Sequence, residues 1–163
     1  MSRKTGAVWL AAMLVALGLA SVAVAAEISR DEFVARAEPI CRADTEANRR
    51  IFKGAKDEVK AGKLSRASVH FTRGAAALGK AIAQLKALPR PTADAAKLVR
   101  WLGYLEAEQE LLVRIARALA HGDKAKAQTL SVRLNRNSNL ANNTVLAFGF
   151  DYCRIDPSRF SAQ

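Results

Sequence analysis

Two cysteines, Cys41 and Cys153, stand 112 positions apart in a chain of 163 residues. If they pair, the last segment of the fold must return to the beginning of the first. Disulfides persist outside the reducing cytosol, so pairing depends on compartment. The N-terminus speaks to that. Arg3 and Lys4 precede an unbroken run of apolar and small residues from Ala7 to Ala26, and Ala23-Val24-Ala25 forms a small-residue cleavage pattern. Residues 1–26 therefore read as a signal peptide, with an uncleaved membrane anchor as the alternative, since about twenty apolar residues can span a bilayer. Either way residues 27–163 are expected outside the cytoplasm as a single domain, secreted or at the cell envelope. In that setting Cys41 and Cys153 are expected to form a structural disulfide. Closing so long a loop contributes about 4–5 kcal/mol in the chain-entropy model, as an upper figure. Neither cysteine has the C-x-x-C spacing of a redox or metal pair.

Helical periodicity fills the rest of the chain. Phe33, Ala37, Ile40, Ala47 and Ile51 recur at helical spacing after a Ser29-Arg30-Asp31-Glu32 capping box. Pro39 falls inside this pattern and is expected to kink the helix or delay its start. Phe71, Ala75, Leu78, Ile82 and Leu85 step by four and three, as a heptad seam does. Leu98, Leu102, Leu105, Leu112, Ala116 and Leu119 repeat the alternation behind Thr92, read as an N-cap. A last segment carries Ala127, Leu130, Leu134, Ala141 and Phe148 inward. The expectation is an all-α, antiparallel up-down-up-down four-helix bundle, with helices at about 29–61, 65–88, 92–121 and 123–148 and no strands. That topology brings Cys153 near Cys41, which lies roughly 18 Å into the first helix at 1.5 Å per residue.

Charge is distributed unevenly. The chain has 26 Lys and Arg against 15 Asp and Glu. Without Arg3 and Lys4 the net charge is still +9. Residues 63–91 hold six basic side chains and no acidic one; residues 122–150 hold four against one. Arg66, Arg73 and Lys80, seven apart, fall on the outer face of the second helix. They are candidates for contact with an anionic envelope polymer or membrane surface; the simpler reading is a solvated face that keeps the protein soluble. No aromatic residues interleave with the stripe, so nucleic acid is not an expected partner.

Polar residues also fall on inner faces. Continuing each heptad turns Asp44, Gln109 and Asn137 (or Ser138) inward at similar depth, with Gly74 leaving room opposite. Three readings stay open: a pocket for a small polar ligand, a satisfied hydrogen-bond layer that fixes register, or exposed residues from an error of helical phase. Asn142-Asn143-Thr144 matches a glycosylation sequon.

Catalytic signatures are missing from the sequence. His70 and His121 each have Ala, not Glu, three residues before them, so the di-iron Glu-x-x-His pattern does not occur. Glu106, Glu108 and Glu110 are spaced by two and splay around their helix. No G-x-S-x-G, P-loop or zinc-protease motif is found. The chain reads as a non-enzyme with no cofactor and no metal. It is expected to act by binding or as a structural part of the envelope; an extracytoplasmic carrier or sensor with a mid-bundle pocket is the alternative.

Several short stretches in order resemble a family of small exported actinobacterial helical-bundle proteins: Phe33–Cys41 (FVARAEPIC), Leu85–Pro91 (LKALPRP), Trp101-Leu102, the Gly122-Asp123 break, an Asn-rich last helix, and Gly149-Phe150-Asp151-Tyr152-Cys153. The resemblance covers most of the chain after residue 26. It implies an exported bundle with a disulfide and assigns no activity or site residue.

Overall fold

The computed structural model describes residues 27–155. The export segment read at residues 1–26 lies outside them. Among the described residues the protein is all-α: α1 (Arg30–Ile51), α2 (Ala55–Lys60), α3 (Leu64–Ala87), α4 (Ala95–Ala120) and α5 (Lys124–Thr144), with 3-10 turns at Thr92–Asp94 and Leu146–Phe148. None of these helices is long and apolar enough to cross a membrane.

The first helix begins where its capping box places it. The Ser29 hydroxyl accepts from the Glu32 N–H at 3.2 Å, and the Glu32 carboxylate accepts from the Ser29 N–H at 2.8 Å. Pro39 sits inside α1 without delaying its start. The expected single helix over 29–61 is instead two. The chain breaks after Ile51, and Gly54 takes φ +80°, a left-handed conformation that favours glycine. The break has a packing consequence. It lays the Phe52 ring edge-on to Phe71 at 5.1 Å and directly over Gly74. His70 holds the corner in place, with one ring nitrogen on the Ile51 carbonyl and the other 3.1 Å from Glu58. The remaining limits shift little. Thr92 opens a 3-10 turn rather than capping α4, and α5 ends at Thr144 rather than Phe148.

Contacts follow chain order. α1 packs on α3, α3 along α4 and α4 along α5, while few direct contacts join α1 to α5. Between α3 and α4 the partner residues run in opposite senses, Gly79 facing Gln109 and Lys86 facing Glu106. Asn48 and Phe52 both approach Gly74, and Asn137 donates to the Tyr104 carbonyl at 2.8 Å. The α3–α4 register fits antiparallel neighbours. α4, covered on both sides, contributes Leu98, Trp101, Leu102, Leu105, Leu112, Ile115 and Leu119 to the core.

The α1–α5 seam is closed at one end by the residues that follow α5. Phe148 and Phe150 stack at 5.4 Å, Phe150 stacks on Trp101 at 5.6 Å, and Phe33 meets both phenylalanines edge-on. Beyond the turn at Gly149, the Glu38 carboxylate accepts the N–H groups of Asp151 at 2.8 Å and Tyr152 at 3.0 Å. Asn142 donates to the Ile155 carbonyl at 2.7 Å and accepts its N–H at 2.8 Å. The sequon asparagine is thus already engaged on both sides of its amide. Held this way, Cys153 bonds Cys41 with an S–S distance of 2.06 Å and a Cα–Cα distance of 5.0 Å. Arg30 closes the same end. It grips Asp94 through two bonds of 2.7 and 2.8 Å and lies over the Phe148 ring.

Candidate functional site: a buried acidic layer

Midway along the bundle the apolar seam is interrupted by polar side chains from three helices. On α1, Ala37, Cys41, Asp44 and Asn48 follow one another by four, three and four, so the half-buried Asp44 and Asn48 continue the stripe begun by the buried Ala37 and Cys41. On α4, Trp101, Leu105, Glu108 and Leu112 step the same way. On α5, Leu134, Ser138 and Ala141 do so. Core positions taken by carboxyl groups need partners, since burying an unpaired charge is costly.

The partners present are few. Asn48 Nδ2 donates to Asp44 Oδ2 at 2.9 Å. The Ser138 side chain faces the Glu108 carboxyl. Three oxygens are left over: Asp44 Oδ1, Asn48 Oδ1 and Glu108 Oε2 are closed off from solvent, and among the described residues no donor reaches them. With both carboxyls ionised all three are acceptors and the layer is short of donors; each proton taken up supplies one O–H donor. The electrostatics follow. Burial pushes the Asp44 carboxyl up to about 6, against the opposing Asn48 bond. Burial pushes Glu108 up to about 7; the Ser138 hydroxyl opposes this and the Asp44 charge adds to it. Near neutral pH the two acids therefore share an environment that resists holding two negative charges.

Each residue expected in a mid-bundle layer has a definite place. Asp44 is in it. Gln109 is not: its amide lies over Gly79 of α3, where an added Cβ would stand 2.4 Å from Nε2. The α4 member is Glu108. α4 buries a broad face, with α3 on one side and α5 on the other, so adjacent positions both turn inward but toward different neighbours. Asn137 bonds the α4 backbone at Tyr104, and its neighbour Ser138 enters the layer. Gly74 does not leave room for a ligand. The Phe52 ring occupies that space, and a Cβ there would stand 2.6 Å from Phe52 Cζ. The splay of the glutamates is as expected: Glu106 bonds Lys86 on the exposed surface, Glu110 is exposed, and Glu108 alone turns inward. The signal for Glu108 was its four-residue step from Tyr104 and three-residue step from Leu105, which competed with the Leu102–Leu105–Gln109–Leu112 alternative.

The α3 residues Arg66, Arg73 and Lys80 are all exposed, as their spacing requires. His121 caps the C-terminus of α4 at the surface. Among the described residues, no group of three or more His, Cys, Asp or Glu side chains is arranged to hold a metal ion. In comparisons with known proteins, no family model, no curated protein and no solved structure matches the chain.

Proposed function

We propose that this is an exported, non-catalytic helical bundle that acts outside the cytoplasm by binding, and that its ligand contacts the Asp44–Asn48–Glu108–Ser138 layer. The export reading rests on the apolar segment before Glu27 and on the buried Cys41–Cys153 bond, which suits an oxidising compartment. The binding reading rests on one observation, the three buried acceptor oxygens that lack a donor among the described residues. Leaving a buried polar group without a partner costs about 1–3 kcal/mol, so these oxygens call for a donor, supplied by bound water or by a ligand. A donor-rich ligand, with an ammonium group or several hydroxyls, supplies what the layer lacks.

The test is thermal shift of the exported protein at pH 7.5 against a panel of small ammonium compounds and polyols. A binder of the folded state raises the melting temperature with concentration, by about 2.7 kcal/mol of stability at a hundred times its dissociation constant. The expected result is such a rise in the wild type, reduced in both Asp44→Asn and Glu108→Gln. A panel that stabilises neither the wild type nor the variants removes the ligand role and leaves a structural part of the envelope.

A further inference from the structure

The outer face shared by α4 and α5 combines positive charge with exposed apolar side chains. A groove of about 320 Å³ runs between the two helices, floored by Leu111 and Leu140 and edged by Arg114, Arg133 and Arg136. All three arginines are exposed, and none has an ion-pair partner among the described residues. Among the described residues Glu110 is the one acidic residue on the rim. Leu140, 44% exposed, opens into this groove, while Val132, 69% exposed, stands on the outer side of α5 and lines a second groove toward α2 and α3. Helical spacing explains the grouping, since Val132, Arg136 and Leu140 are successive members of one four-residue row and Arg133 lies beside it.

We propose that this α4–α5 face docks on a membrane surface rich in anionic phospholipid. Two features choose that occupant. The unpaired guanidinium groups call for phosphate, which they bind through paired N–H donors. Leu140 stands between the arginines in an open groove, and Val132 stands on the outer side of α5 beside them, neither in a closed pocket. The boundary between headgroups and acyl chains offers phosphate and hydrocarbon together at that spacing, and long arginine side chains reach up from it while valine and leucine enter. A soluble polyphosphate would leave Val132 and Leu140 unexplained. This face is separate from the acidic layer, and from the α3 stripe of Arg66, Arg73 and Lys80, where only Val69, 47% exposed, is a large exposed apolar residue.

Co-sedimentation of the exported protein with vesicles of phosphatidylcholine, with and without one-third phosphatidylglycerol, tests the proposal. Binding is expected only to the anionic vesicles and should weaken steeply with salt. Arg133→Glu with Arg136→Glu should reduce it at least tenfold. Arg66→Glu with Arg73→Glu changes the net charge equally on α3 and should reduce it much less; an equal loss from that control overturns the proposal. Val132→Ser with Leu140→Ser should weaken vesicle binding several-fold while leaving any binding to soluble polyphosphate unchanged. If the serine variant binds vesicles as the wild type does, the contact is with phosphate alone and the membrane assignment fails. Absence of binding to anionic vesicles at low salt also defeats it. Amide exchange gives a readout that needs no variant: vesicles should slow exchange over residues 130–142 and leave 64–80 unaffected. The reverse pattern assigns the contact to α3.

Discussion

Asp44 and Glu108, contributed by helices α1 and α4, are both raised above the usual carboxylate range, and each retains one buried oxygen that no donor among the described residues reaches. This pair governs how the protein should respond to pH. A carboxyl whose folded value is raised binds its proton more tightly in the folded state than in the unfolded one. Folding is then favoured while the group is protonated, and that advantage is lost as pH rises. With Glu108 moved from 4.5 to about 7 and Asp44 from 3.8 to about 6, stability should fall as pH rises from about 4 to about 7. Each unit corresponds to about 1.4 kcal/mol, so Glu108 alone accounts for roughly 3 kcal/mol as an upper figure. Urea unfolding at pH 4.5 and pH 7.5 measures this. Glu108→Gln should flatten most of the slope; an unchanged slope in that variant removes the pair as its cause.

Asp94 acts in the opposite direction. The Arg30 bonds hold its carboxyl below the usual range although burial opposes them. Its contribution is present above the unfolded value near 3.9 and is lost as pH falls below it. The full profile should therefore turn down again in acid. Asp94→Asn should remove that downturn while leaving the fall between pH 4 and 7 intact.

Glu38 organises the residues that carry Cys153, since its carboxylate accepts the N–H groups of Asp151 and Tyr152. Glu38→Ala should cost on the order of 1 kcal/mol, the net worth of hydrogen bonds at a turn that is exposed to half-buried, and should speed reduction of the disulfide by thiols. Glu38→Gln, which keeps one acceptor oxygen, should lie between. Peptide mapping without reductant should recover a Cys41–Cys153 peptide from all three proteins.

Glycine substitutions separate close packing from helix propensity. Gly74→Ala places a Cβ against the Phe52 ring and should destabilise by about 1–3 kcal/mol, as overpacking does. Gly103 lies on α4 with nothing within 4 Å of an added Cβ. There the same change should stabilise by up to about 1 kcal/mol, the helix-propensity difference between the two residues. If Gly74→Ala were as stabilising as Gly103→Ala, the Phe52 contact would carry no weight.

What the sequence determined by itself is what depends on residues near one another in the chain. Helical periodicity marked every long helix, because a buried stripe must recur every three or four residues wherever the helix packs. The Ser29–Glu32 box set the start of α1 through bonds between residues three apart. The cysteine pair was legible because only two thiols exist to be matched. Tertiary structure decided what depends on which neighbour an inward residue meets. Gln109 and Glu108 both turn inward on α4, and only the positions of α3 and α5 send one to Gly79 and the other to Asp44 and Ser138. Gly74 read as open space until the break at Gly54 brought Phe52 over it. Periodicity gives a residue's depth below the surface, but its chemical surroundings come from other helices, whose rotation and register no local pattern encodes.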